Sequence, residues 1–118
     1  MKSNHKEKYL NTVKTIVNSK LLDQYLIGLT CWDATKKGDS YDKIGFEHFV
    51  TIASPLTAAE ALELEEYLFK MCTKNGKNTL LYKKYHDQKR DGHYHPSLGG
   101  KTHPDDANML VYMTWWNK

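Results

Sequence analysis

Glu65 is a carboxylate on the apolar side of a helix. It belongs to the run from Thr57 to Cys72, where Ala61, Leu64, Leu68 and Cys72 fall into one stripe at about 100° per residue. Ala58, Leu62, Phe69 and Met71 flank that stripe, and Glu60, Glu63 and Glu66 occupy the opposite, solvated side. Glu65 lies four residues after Ala61 and three before Leu68, near the middle of the apolar arc. A carboxylate aimed at a core needs a partner, a cavity or a metal, because burial penalises its charged form. Two readings follow. Glu65 is a structural group paired with lysine or tyrosine, at an interface or near a helix end, or it is a functional carboxylate at a site.

A second group of reactive side chains crowds the span that holds His86, Asp87, Asp91, His93, His95, His103 and Asp105. His93 and His95 are two residues apart, a spacing that suits Zn2+ if a third ligand converges, although no CxxC or HExxH pattern frames them. The same region is basic. Residues 73–104 carry seven Lys/Arg against Asp87 and Asp91, whereas residues 21–72 carry nine acids against four lysines. Lys83, Lys84, Lys89, Arg90 and His93, interleaved with Tyr82, Tyr85 and Tyr94, form a candidate nucleic-acid-binding set. The alternative is a solvated lysine-rich loop. Histidine there can also act as general acid or base near neutral pH.

The elements that must position these groups are legible as punctuation. An amphipathic helix is expected over about 6–21, from Tyr9, Leu10, Val13, Ile16, Val17 and Leu21. Gln24–Cys31 reads as a largely buried strand, and Phe46–Ala53 as a second one closed by Ser54-Pro55. Between them lies a polar stretch in which Asp33 can cap a turn over 34–37. Thr57 and Glu60 form a capping box, so a helix begins there and ends before Asn75-Gly76. Asn78–Gln88 fits helix and strand equally. A His-rich basic loop spans about 86–106, dense with Gly92, Pro96, Gly99-Gly100 and Pro104. Asn108–Trp116 alternates as a last strand.

These elements imply an α/β (α+β) fold, a single small two-layer domain over residues 1–118 with a central sheet of three or more strands flanked by helices. Trp32, Trp115 and Trp116 serve core packing or base stacking. Adjacent Trp115 and Trp116 face opposite sides of a strand, which leaves one to dock a partner copy in a homodimer. No run of about 18 apolar residues spans a membrane. The basic N-terminal stretch lacks the apolar run of a secretory signal. Cys31 and Cys72 have no motif spacing and read as reduced thiols of a cytoplasmic protein, with a bridge between them left open.

Three pieces in order carry a family resemblance. They are the strand Tyr25-Leu26-Ile27-Gly28-Leu29-Thr30, then Lys36, Lys37 and Tyr41, then the helical Ala61-Leu-Glu-Leu-Glu65. Over residues 25–69 the chain resembles the GIY-YIG endonuclease superfamily, in branches with a Tyr-x-Ile-Gly-x-Thr strand. Lys36 stands where the family has arginine, eight residues after Gly28, and no Gly-Ile-Tyr strand precedes residue 25. The resemblance implies a GIY-YIG-like domain that cleaves nucleic-acid phosphodiesters with Mg2+ or Mn2+. Glu65 is then the metal ligand, Lys36 or Lys37 neutralises phosphate, and Tyr41 or Tyr25 handles the water. Two other readings stay open: a catalytically inactive module of the same kind that binds nucleic acid or a nucleotide, and a small zinc-binding or protein-interaction domain organised by His93 and His95.

Overall fold

The last strand of the chain organises the sheet. In the computed structural model, which describes residues 1–30, 45–94 and 109–118, β3 (Met109–Asn117) lies between β1 (Leu22–Thr30) and β2 (His48–Leu56) and is antiparallel to both. Met109 to Thr114 are buried without alternation, as a strand covered on both faces requires. The register sets Tyr25, Ile27 and Leu29 opposite Trp115, Met113 and Val111 on one face, and Leu26 and Gly28 opposite Thr114 and Tyr112 on the other. The fold is therefore a small α+β domain, a three-stranded antiparallel sheet packed against helices, as its sequence pattern implies.

Helices α1 (Ser3–Val17) and α2 (Ala58–Thr73) supply most of the helical core. α1 buries Leu10, Val13 and Val17. α2 buries Ala58, Ala61, Leu64, Leu68 and Cys72, the stripe visible in the sequence, and Glu65 with it. Its start is set by the capping box: Glu60 N–H donates to Thr57 Oγ1 and Thr57 N–H donates to Glu60 Oε1, both at 3.1 Å. Cys72 is a free, buried thiol. Burial pushes its pKa up to about 11, and the thiol stays protonated at neutral pH.

Three element boundaries differ from the sequence reading. The first helix ends at Val17 rather than 21, and Leu21 is 67% exposed while Leu22 opens β1. Lys84 Nζ donates to the carbonyls of Val17 and Ser19, at 3.0 and 2.8 Å, which satisfies the helix end there. β2 continues through Ser54-Pro55 to Leu56. It is an edge strand, where the N–H that proline lacks is not needed by the ladder. Residues 78–88 are neither all helix nor all strand: α3 (Leu80–Lys84) and α4 (Asp87–Arg90) are separated by extended Tyr85.

That break has a purpose at the sheet edge. Tyr85 makes a parallel bridge to Tyr25, and His86 N–H donates to the Tyr25 carbonyl at 2.8 Å. Two positions along, Ile27 N–H donates to the Tyr85 hydroxyl at 3.3 Å. The outer edge of β1 is thus partnered from outside the sheet, which removes exposed backbone donors and acceptors from that edge. At this same end of the sheet, where Tyr25 pairs with Trp115, Trp115 stacks on His48 with centroids 5.3 Å apart, and Trp116 packs edge-on against Phe46 while donating Nε1–H to Asp23 at 3.0 Å. Cys31, the turn expected over 34–37 and the loop beyond residue 94 lie outside the described residues.

Gly28 is required by packing. A Cβ at this position would stand 2.3 Å from the Tyr112 hydroxyl and 2.5 Å from its Cζ, and Tyr112 is itself buried and stacked on Phe49 at 4.9 Å. Gly28→Ala is expected to lower stability by about 1–3 kcal/mol. In chemical denaturation, adding Tyr112→Leu should recover part of that loss, and strictly additive effects would show that the ring is not the obstacle.

Candidate functional site

The buried carboxylate of Glu65 opens onto a cleft of about 320 Å³. α2 contributes Glu65 and Phe69 to its wall, β1 contributes Ile27, and the segment after α3 contributes the rest, including Tyr85, Lys89, His93 and Tyr94. Glu65 is 3% exposed. Tyr94 reaches it across the cleft and donates its hydroxyl to Glu65 Oε1 at 2.7 Å. Burial, then the hydrogen bond and the charge of Glu65, raise the Tyr94 phenol well above its ordinary range, so it remains a hydrogen-bond donor at every physiological pH.

Of the residues singled out from sequence, Glu65, Lys89 and His93 come together here. Lys89 and His93 are exposed on the rim. Tyr25 is not on the wall. It is fully buried, its ring packs edge-on against Tyr85 at 5.0 Å, and its hydroxyl donates to the Leu81 carbonyl at 2.7 Å. Burial above all, with Cys72 beside it, raises its phenol well above the ordinary range. Tyr25 therefore supports the cleft floor instead of meeting a water. Lys84 is likewise committed to the end of α1, where desolvation lowers its pKa.

Arg90 lies over the Tyr82 ring at 4.8 Å and pairs with Asp91 at 3.6 Å, while the Lys83 side chain is exposed outside the cleft wall. Lys36, Lys37, Tyr41 and His95 lie outside the described residues. Among those described, no group of three His, Cys, Asp or Glu side chains converges. His86 is held between Phe46 and Trp116, at 5.6 and 5.7 Å.

The partner of Glu65 was not legible in the sequence. Tyr94 is separated from it by 29 positions and no helical or strand periodicity links them. The nearest signal was the tyrosines interleaved with the basic residues. Tyr85 was equally hidden, since its role at the β1 edge depends on the break between two short helices.

A titration tests this arrangement. Tyr25 and Tyr94 are raised in the folded state, so they add stability below the unfolded tyrosine pKa of about 10, and that stability is lost as pH rises above it. Both are expected to ionise only as the protein unfolds, seen as delayed phenolate absorbance coincident with loss of circular dichroism. Tyr94→Phe should remove one late-ionising group and cost about 1–3 kcal/mol, because Glu65 loses a donor; ionisation of both phenols in the native protein would contradict the geometry. No family model, curated protein or solved structure matches this chain.

Proposed function

We propose that the Glu65 cleft is the active site of a divalent-metal-dependent nuclease that cleaves nucleic-acid phosphodiesters in the cytoplasm. The observation that carries the reading is a nearly inaccessible carboxylate that opens onto a cleft with a basic rim. The donor set fits Mg2+ or Mn2+, which take one or two carboxylates and complete their shell with water and phosphate oxygens. Glu65 is the residue to hold such an ion. When bound, the ion supplies neutralisation of charge at the scissile phosphate and its leaving oxygen.

The chain's own residues divide the remaining tasks. Tyr94 fixes one carboxylate oxygen of Glu65 by its hydrogen bond, which sets the orientation of the ligand. Lys89 offers a cation to the phosphate at the cleft mouth, and the His93 imidazole on the same cleft is the candidate general acid or base. Ile27, Phe69 and the buried Tyr85 form the apolar part of the wall, where charge interactions are less screened than in water. The family resemblance implies phosphate neutralisation by Lys36 or Lys37 and handling of the water by Tyr41, residues outside those described. A second reading, a cleft that binds nucleic acid without turnover, draws support from Tyr94, which already engages a Glu65 oxygen that a metal would use.

Incubation of plasmid and oligonucleotide with the protein in Mg2+ or Mn2+ separates these readings. Wild type is expected to cleave, and Glu65→Gln to lose about 100-fold or more in rate while its circular dichroism is unchanged. Mn2+ binding followed by electron paramagnetic resonance should weaken in parallel, without reference to turnover. Equal cleavage by the variant sinks the mechanism, and salt-sensitive binding with no cleavage assigns the second reading.

A further inference from the structure

A second depression, of about 480 Å³, adjoins the Glu65 cleft past the end of α2. Its wall carries Lys74, Lys77, Tyr82 and Asp91, with the backbone of Gly76 between the lysines. Two features bring the walls of the hollows close together. Lys74 Nζ lies 5.8 Å from the centre of the Phe69 ring, which lines the first cleft. Asp91 lines the second hollow and its chain neighbour Gly92 lines the first.

Charge along this path is positive. Lys89 stands on the first cleft, Lys74 and Lys77 are exposed on the second hollow, and Arg90 lies over Tyr82 of that hollow. Asp91, the acid of the second hollow, is already engaged by the Tyr82 hydroxyl and by Arg90 at 3.6 Å. Half-buried rings lie among these cations: Tyr94 in the first cleft, and Tyr82 beneath the Arg90 guanidinium at 4.8 Å. Cations that track a backbone, interleaved with rings that accept any base, are the recognition chemistry of a single strand.

We infer that the second hollow is a binding subsite for a single nucleic-acid strand, holding phosphates of the same strand that enters the Glu65 cleft. This rests on the proposed function for the identity of the polyanion, but binding there needs neither metal nor turnover. Lys74 and Lys77 neutralise phosphates beyond the cleft, and the half-buried Tyr82, paired with the Arg90 guanidinium, offers an aromatic edge to a base.

The experiment measures binding of labelled thymidine dinucleotide and of a longer single-stranded oligothymidylate, in chelator, across a range of salt. Lys74→Ala/Lys77→Ala is expected to weaken the oligothymidylate about tenfold and to reduce the slope of log affinity against log salt by about 1.4, at roughly 0.7 per phosphate contact on a single strand. The dinucleotide should bind as it does to wild type. Lys8→Ala/Lys20→Ala, which removes two exposed lysines from neither hollow, should leave the slope intact. An unchanged slope in the Lys74/Lys77 variant, an equal loss for both ligands, or tighter binding of a duplex than of the single strand overturns the inference. A wild type that shows the Lys74/Lys77-dependent slope but never cleaves in Mg2+ sinks the nuclease reading and leaves the subsite standing.

Discussion

The backbone of β1 must find hydrogen-bond partners on its outer side, and the rest of the site follows from how it does so. β3 satisfies one edge of this strand; Tyr85 and His86 satisfy the other through the Tyr25 carbonyl and the Ile27 amide. A buried unpaired amide or carbonyl costs about 1–3 kcal/mol, so the edge fixes the position of this distant segment firmly. Once Tyr85 is docked, the residues that follow are carried across α2. Lys89, His93 and Tyr94 then face Glu65, and the cleft is the space left between them.

The same segment is anchored twice more. Lys84 binds carbonyls at the end of α1, 67 positions away from Val17, and Leu81 accepts the Tyr25 hydroxyl across 56 positions. The short helices α3 and α4 contain no buried residue, so they have little core of their own to hold them. Their placement comes from these polar ties and from Tyr85, which is 2% exposed. A cleft wall built this way is positioned by a few directed bonds and not by a broad apolar face.

The sequence made the scaffold visible because scaffold signals are local. The capping box at Thr57 and Glu60, the stripe from Ala61 to Cys72 and the last strand read over Asn108–Trp116 each lie within one element, and all are present in the structure, although that strand is buried through Met109–Thr114 and not on alternate residues. Glu65 was legible for the same reason: a helix wheel exposes a charge on the wrong side. What could not be read was whatever depends on tertiary pairing. Tyr25 looked chemically available as a strand tyrosine, yet its face of the sheet is the one covered by α2 and α3. Lys83, Lys84, Lys89 and Arg90 looked equivalent as a basic run, but the turn at Tyr85 sends them to different tasks. Tyr94 became meaningful only through its distance to Glu65.

Cys72 gives the floor of this arrangement a chemical clock. Its thiol is 1% exposed, neutral at ordinary pH, and lies against Tyr25. A thiol reagent can reach it only when the packing around Tyr25 and α2 parts, and only the ionised sulfur reacts quickly. In a chain with Cys31 replaced, the rate of Cys72 labelling therefore counts openings of the layer that supports Tyr85. Ligands that clamp the walls above it slow that count, whether or not any bond in them is cut.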